Sequence, residues 1–593
     1  EQDVRTVLEV TERSGLARRG ILHTSDSVVS TPAILLLGDA GTAPDPWLRE
    51  VLDKEAGLTA LSARVASISD NGSPPSLSRP LSLDTLEMPP AEAQGPVAFL
   101  PDPKAAVKAK QDILALQNTV EYLRFPRRFA NAMSTLRQEA GYQRAIYTPL
   151  LATPANLPLL IYLGVDLADT LRIQYDTAKG RFHTLDGTLP VEELEEWPCL
   201  CAGCERGDLG EHNLRQMLAE IRRVRLAIRR GRVRELVERR LANDPWMTGV
   251  LREMDLRLYP YQELHAPVSG APVKAYSPAS LHRPEVRRFR RRISERYRRP
   301  ASAPILLLLP CSARKPYSTS RSHRMFRATI RASGNPWAVH VVVVTSPLGL
   351  VPLELQLAYP AQHYDVPVTG DWSRDEARIL EEDLPVFLAK NRYEAVVSHL
   401  GAEAEIVNGL VDDVLVTSDG APRSPKSLEL LETTLRDLTS DLARVYPSQR
   451  KSEELQAMAA FQFGPGAEAL VEGCTTRGRY PYWRLLHKGR QLAALTGDRG
   501  LMALTLEGAR VLSSLNRAWV EIDDFYPEGN VFAVGVDAAD ENLRVGDEAV
   551  VRHGEEVRAV GVARMNPLEM TASNRGEAVH VRHKVRLAEG STS

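Results

Sequence analysis

Four stretches of this chain are almost continuously apolar and largely β-branched: Ile305–Leu309 (ILLLL), Val339–Val344 (VHVVVV), Ala395–Ser398 (AVVS) and Val414–Thr417 (VLVT). A strand with one face in water alternates apolar and polar residues. A run without that alternation needs protein on both faces. Helical stretches such as Arg374–Lys390 separate the runs. Strands alternating with helices in this way predict a parallel sheet covered on both sides. Each run ends in turn residues: Pro310-Cys311-Ser312, Thr345-Ser346-Pro347-Leu348-Gly349 and His399-Leu400-Gly401. Ligands of such sheets bind beyond the carboxyl ends of the strands, so these loops are expected to share one crevice.

The 593 residues correspond to about four domains. Residues 1–265 mix apolar runs, such as Pro32–Gly38 and Gly95–Leu100, with helical patterns over Lys104–Leu123 and Leu159–Leu163. The latter turns into a strand through Gly164–Asp169. This alternation fits a barrel or a doubly wound sheet. Ser69–Pro90 is rich in Ser and Pro and reads as a loop. Residues 266–445 carry the parallel sheet, with a helix over Leu428–Tyr446. Residues 446–516 are mixed α+β, and 517–593 are β-rich. In that last part Val531–Val536, Glu548–Arg552 and Val557–Met565 are short strands between Gly turns, the pattern of a small barrel. The fold class is therefore α/β multidomain.

Composition is that of a globular protein: 43% hydrophobic, 25% charged, net charge −2. It excludes a disordered chain, a collagen and a small disulfide scaffold. No apolar run reaches membrane-spanning length, and Glu1–Gly15 lacks a basic-then-apolar leader pattern. With five Cys in all, the expectation is a soluble cytoplasmic protein in a reducing compartment, without membrane contact. Only 12 of the 74 basic residues are Lys. Arg suits phosphate because its planar fork binds two oxygens; a GC-rich genome produces the same bias. Arg283–Arg299 holds nine Arg in 17 residues, and Arg215–Arg240 is a second Arg-rich, helical stretch. Both are consistent with nucleic-acid contact and equally with solvated helix faces.

Cys199, Cys201, Cys204 and His212 are spaced C-x-C-x2-C-x7-H. Three thiolates and one imidazole complete a tetrahedral zinc set. A closed four-ligand site leaves no position for water, so the expected zinc is structural.

The segment Pro310-Cys311-Ser-Ala-Arg-Lys315-Pro316-Tyr317-Ser-Thr-Ser320-Arg-Ser-His323 follows directly on a strand. It gathers a nucleophile, a cation, a phenol, a hydroxyl and a base. Cys311 near Lys315 and His323 can have a lowered pKa and attack an electrophilic carbon; alternatively it is a buried Cys at a strand end. His363-Tyr364-Asp365, and Ser346–Gly349 with Glu354, offer further acid/base groups to the same crevice. The candidate site residues are thus Cys311, Lys315, Tyr317, Ser320, His323, His363 and Asp365.

The string P-C-x3-K-P-Y-x2-S-x2-H, complete at Pro310–His323, resembles the signature of the archaeosine synthase family, archaeal tRNA-modifying enzymes built like tRNA-guanine transglycosylases. Arg19-Gly20-Ile21-Leu22 with Ser30-Thr31-Pro32-Ala33 is similar to the transglycosylase N-terminus. Gly164-Val-Asp166-Leu-Ala-Asp169 is similar to the barrel segment holding its nucleophilic Asp, matched by Asp169. The Cys199–His212 block resembles its zinc site. Phe532-Ala-Val-Gly535-Val, Gly546-Asp547 and Ala578-Val-His580-Val-Arg582 resemble a PUA domain.

The resemblance implies a degenerate transglycosylase-like (β/α) barrel with a zinc site over 1–265, a central α/β catalytic domain over 266–445, a small connecting α+β domain over 446–516 and a C-terminal PUA β-barrel over 517–593. It implies that an amine, lysine first, adds to the nitrile of 7-cyano-7-deazaguanine in the D-arm of tRNA. The product is an amidine that a radical-SAM lyase partner then cleaves. A homodimer is a further expectation. The alternatives are active base exchange, or glutamine-dependent amidotransfer to the same nitrile. The Ser-Gly-Gly-Phe-Gln segment of true transglycosylases is absent near Gly95–Pro103, which weakens base exchange and leaves Asp169 as a vestige or a pocket residue.

Overall fold

The computed structural model describes residues 7–24, 28–37, 60–62, 97–117, 119–367 and 371–586. The expected loop Ser69–Pro90 lies outside them. The chain divides into two compact units, Glu1–Ala266 with Ala572–Gly576, and Pro267–Thr571 with Glu577–Ser593. Among the described residues no helix is long and apolar enough to cross a membrane.

The first unit opens with an antiparallel sheet of β1 (Val7–Ser14), β2 (Ala17–His23) and β3 (Val28–Thr31). A parallel sheet follows: β4 (Ala33–Leu35), β5 (Val97–Leu100), β6 (Ile113–Leu116), β7 (Ala145–Tyr147) and β8 (Leu167–Asp169), in the order β4-β8-β7-β6-β5. Its strands are short and buried throughout. The helix expected over Lys104–Leu123 is a 3-10 turn (Pro103–Val107), then β6, then a second 3-10 turn (Thr119–Arg124). Asp102 caps only the first turn, through Lys104 N at 2.8 Å. Ile113–Leu116 is fully buried and pairs with both β5 and β7. A run of four apolar residues is ambiguous by period, and the two partners decide it. The hairpin β9 (Arg181–Thr184) and β10 (Gly187–Pro190) precedes the long helix Leu209–Arg229.

The second unit contains β11 (Val273–Lys274), β12 (Ile305–Pro310), β13 (Val339–Thr345), β14 (Gly349–Pro352), β15 (Tyr364–Asp365), β16 (Ala395–Ser398) and β17 (Val414–Val416). The main sheet runs β14-β13-β12-β16-β17, parallel except for the edge strand β14. The four apolar runs are thus its four parallel strands. The helix expected over Leu428–Tyr446 spans Pro425–Thr439. Pro447 disfavours helix at the residue before it, and Tyr446 is extended at φ −90, ψ 145.

An antiparallel sheet of β18 (Thr475–Arg477), β19 (Arg484–His487), β20 (Arg490–Thr496) and β21 (Leu501–Leu504) comes next. A six-stranded sheet closes the chain: β22 (Trp519–Ile522), β23 (Val531–Phe532), β24 (Val536–Ala539), β25 (Glu548–His553), β26 (Glu556–Ala563) and β27 (Glu577–Lys584), in the order β23-β27-β26-β25-β22-β24. A 3-10 turn at Ala533–Gly535 divides the strand expected over Val531–Val536.

The Arg-rich run forms the helix Pro284–Glu295, and much of it is used internally. Arg288 and Arg292 are buried. Arg290 grips Asp383 through Nε at 2.7 Å and Nη2 at 2.9 Å. Arg299 lies over Tyr393. Arg234, in the second Arg-rich stretch, is likewise buried on Asp255 at 2.7 and 2.6 Å. Side chains held this way are not available to phosphate.

Candidate functional site

In the first unit the donor atoms of Cys199, Cys201, Cys204 and His212 lie within 4.8 Å of one another. The Cys201 and Cys204 sulfurs are 3.6 Å apart, and His212 Nδ1 is 3.5 and 3.1 Å from them. Zn–S of about 2.3 Å and Zn–N of about 2.0 Å require edges close to these, so the residues fit a tetrahedral zinc. His212 Nε2 faces the carbonyl of His183 at 2.9 Å, which fixes the tautomer that presents Nδ1. Phe182 stacks on the imidazole at 3.8 Å. Gly203 is required here: a Cβ would meet His212 N at 2.7 Å. Burial, with the neighbouring thiols, raises the Cys204 thiol, since three sulfurs this close cannot all ionise without a cation. Protein purified without chelator is expected to carry about one zinc per chain, and Cys201→Ala to lose it and unfold at lower temperature. Less than half an equivalent by metal analysis overturns the assignment.

In the second unit the carboxyl ends of β12 and β13 build the other candidate site. Cys311 follows β12, and Lys315, Tyr317, Thr345 and Tyr364 surround it. The Tyr317 and Tyr364 hydroxyls are 2.7 Å apart, and Thr345 Oγ1 is 2.6 Å from that of Tyr364. Lys315 Nζ lies 3.9 Å from the Tyr364 ring centroid. Asp365 accepts from Tyr276 OH at 2.5 Å and attracts the Lys315 ammonium.

Burial pushes the Cys311 thiol up, and Glu403 adds to this; the Thr345 hydroxyl and Lys315 pull it back. Burial also lowers Lys315. The thiol is therefore not pre-ionised, but its proton affinity and that of Lys315 converge. Activity that depends on the thiolate should accordingly rise with pH through neutrality, following loss of one proton; a rate independent of pH between 6 and 9 contradicts this.

Ser320 and His323 shape the loop. Ser320 Oγ accepts from His323 N at 3.2 Å, capping the helix Arg321–Ala332. His323 Nε2 meets the Pro310 carbonyl at 3.0 Å. Burial lowers His323 to about 4, against that carbonyl, so the ring is neutral at pH 7 and is not the cation expected beside Cys311. An unfolded His binds protons near pH 6.5. The folded ring resists until about 4, so this contribution to stability is full above 6.5 and lost as pH falls through that window. It amounts to roughly 3 kcal/mol. His323→Gln should flatten the fall in urea midpoint between pH 6.5 and 4, and an unchanged slope counts against a neutral ring.

His363 turns elsewhere: its Nε2 lies 3.0 Å from Gln362 Nε2 and 3.2 Å from the Asp498 carbonyl. His399 is satisfied by Thr417 at 2.9 Å and the Pro422 carbonyl at 2.8 Å. Glu354 is buried against Tyr297, at 2.5 Å, and His340. Thr345 carries no catalytic signal in sequence beyond closing the strand β13, whereas Tyr364 enters with the His363-Tyr364-Asp365 triplet.

Asp169 is fully buried. Its carboxylate accepts from Tyr147 OH at 2.5 Å, Leu150 N at 3.0 Å and Leu171 N at 2.9 Å. Burial raises it to about 6 against those three donors.

Comparison with known proteins gives three matches to family models. Residues 286–435 match a domain of unknown function (DUF5591), 453–517 the patch-forming domain C2 of tRNA-guanine transglycosylase, and 521–585 the PUA domain. The chain is 35% identical to an archaeosine synthase of Haloferax volcanii, over 97% of this chain and 98% of that one. It is 37% identical to an archaeosine synthase subunit alpha of Methanosarcina acetivorans, over 84% and 83%. Identity to a tRNA-guanine(15) transglycosylase of Methanothermobacter thermautotrophicus is 29%, over 72% and 64%.

Proposed function

The chain belongs to the archaeosine synthase family of tRNA-modifying enzymes, and on that premise we propose that it adds an amine, lysine first, to the nitrile carbon of 7-cyano-7-deazaguanine in the D-arm of tRNA. The observation that carries the reading is the pairing of Cys311 and Lys315 at the carboxyl end of β12, with proton affinities drawn together by burial. The thiol adds to the nitrile carbon while its proton passes, by way of Lys315, to the nitrile nitrogen, giving a thioimidate. The amine then attacks the same carbon and expels the Cys311 sulfur, leaving the amidine. Two additions of modest barrier replace one difficult addition. Tyr317 and Tyr364 orient the base, and Asp365 holds Lys315 in place. Ser320 has a supporting place at the helix cap, and His363, turned toward Gln362 and Asp498, has none. Zinc, when bound by Cys199, Cys201, Cys204 and His212, supplies structural cross-linking.

In this reading 266–445 carries the chemistry, 446–516 connects, and 517–593 holds tRNA through its PUA fold, in the cytoplasm where tRNA is modified. The amidine is passed to a radical-SAM lyase. Tests begin with mass spectrometry of tRNA bearing the nitrile base, incubated with protein and L-lysine. A mass increase of one lysine on the base is expected; no increase with lysine, or an increase of one ammonia with glutamine instead, overturns the donor assignment.

The second reading, base exchange, would use Asp169 as nucleophile. The carboxylate is enclosed and three times hydrogen-bonded, which favours a structural role. Asp169→Asn turns an NH2 toward one of its three donors and is expected to lower stability, while protein that stays folded adds lysine within about twofold of the wild-type rate.

A further inference from the structure

The second unit contains a cavity of about 300 Å³, distinct from the Cys311 loop but sharing a wall with it through His323. One side comes from the helix Arg321–Ala332 and the start of β13. The other comes from the helix Pro447–Phe463 and the segment that includes Trp483. Trp337, Tyr480 and Trp483 form aromatic walls, and Trp337 and Tyr480 are 37% and 39% exposed at the open end. Tyr480 is fixed by Gln356 Nε2 at 3.1 Å and by edge contact with Trp483 at 5.2 Å.

The closed end holds Glu354, Arg450 and Glu454. Glu354 is fully engaged electrostatically: burial raises it, but His340 and Arg450 hold it down to about 2. The other two are not fully used. Arg450 is 4% exposed; its Nε donates to Glu454 Oε1 at 2.9 Å, but its buried Nη1 has no hydrogen-bond partner among the described residues. The Glu454 side chain is 20% exposed, and its second oxygen accepts no hydrogen bond from the described residues. Burial raises Glu454 despite Arg450. A buried donor left unpaired costs roughly 1–3 kcal/mol, and Arg450 Nη1 is such a group; the second oxygen of Glu454 keeps solvent access and is free to accept from a ligand.

An unused cationic donor beside an unused anionic acceptor is poorly matched by a simple anion or a simple amine. A zwitterion satisfies both, with its carboxylate on Arg450 and its ammonium on Glu454. The aromatic walls accept an aliphatic stem, and the Trp483 ring already takes one ammonium, Lys451 Nζ at 4.9 Å. Arg327 and Arg331 line the exposed end and favour entry of the anionic head.

We propose that this cavity is the amino-acid site: it holds the zwitterionic head on the Arg450–Glu454 pair and leaves the side-chain amine as the reactive group. The proposal rests on the nitrile-addition reading above, and adds where the amine donor is held and which of its groups is recognised.

The test is calorimetric titration of the full chain without tRNA. L-Lysine is expected to bind saturably, and L-norleucine, which keeps the head but lacks the side-chain amine, to compete with it. 6-Aminohexanoate, which lacks the α-amine, should bind at least about tenfold more weakly, the loss of one charge-assisted hydrogen bond. Glu454→Gln should weaken lysine by a similar factor. Trp337→Ala, at the exposed end, should weaken it by about threefold to tenfold with an unchanged unfolding temperature. Cys311→Ser should bind lysine as wild type does.

Wild-type lysine affinity in Glu454→Gln, or failure of norleucine to compete, overturns the proposal. So does loss of tRNA affinity in Glu454→Gln with lysine binding intact, which would make the cavity a nucleobase pocket. The two readings fail separately. If Cys311→Ser forms adduct normally while Glu454→Gln loses lysine, the thiol mechanism falls and the cavity stands. If Cys311→Ser is inactive while Glu454→Gln binds lysine normally, the cavity assignment falls alone.

Discussion

Cys311→Ser is expected to slow lysine addition to the nitrile base by on the order of 10³-fold, about 4 kcal/mol in activation free energy. The hydroxyl keeps the shape of the thiol but is a far weaker nucleophile. Lys315 cannot compensate, because burial lowers its proton affinity and an alcohol is a far weaker acid than a thiol. The site should otherwise be intact, since Tyr317, Tyr364 and Thr345 are held by each other at 2.7 and 2.6 Å. Affinity for tRNA should therefore not change. A mass increment of the base on the wild-type peptide containing Cys311, trapped before amine is added, would support the thioimidate. Addition by Cys311→Ser at close to the wild-type rate would show that the thiol only packs and that the amine attacks directly.

The largest stability effect should come from Asp166, three residues before Asp169. Asp166 is fully buried between Arg18 and Arg137, themselves 4% and 2% exposed. It accepts from Arg18 Nε and Nη2 at 2.7 Å each, from Arg137 Nη2 at 3.0 Å and from Ile146 N at 2.8 Å. Burial would raise the carboxyl, but the two guanidiniums hold it below its usual range. Asp166→Ala leaves two buried cations without a counter-charge, a loss of roughly 3–5 kcal/mol. That is enough to unfold a unit of ordinary stability. Asp166→Asn keeps the shape and should recover only part of it. Denaturation of the two variants, followed through Trp197 and Trp246 of this unit, measures the difference. A cost below about 1 kcal/mol for the alanine variant would mean that the guanidiniums find other partners.

Local pattern carried much of this protein. Strands β12 and β13 are legible as uninterrupted apolar runs because protein covers both their faces; the run at β17 reads the same way, yet the strand lies at the sheet edge with Leu415 and Val416 exposed, so it is not covered as expected. The zinc set is legible because three of its ligands fall within six residues, and the reactive loop because its residues are nearly contiguous. What the sequence could not decide depended on partners far along the chain. The basic run at Arg283–Arg299 looks free for phosphate until Asp383 and the core take several of its side chains. His323 looks like a cation until burial makes it neutral. Asp166 and Asp169 differ by three positions and not at all in type, yet one neutralises two arginines and the other is enclosed by a phenol and two backbone amides. Glu354 and Arg450 share a cavity with nearly a hundred residues between them. Periodicity and short-range spacing describe how a segment meets its nearest layer. Charge state, free valence and pocket shape are set by whichever distant segment packs there, and that is settled only when the chain is folded.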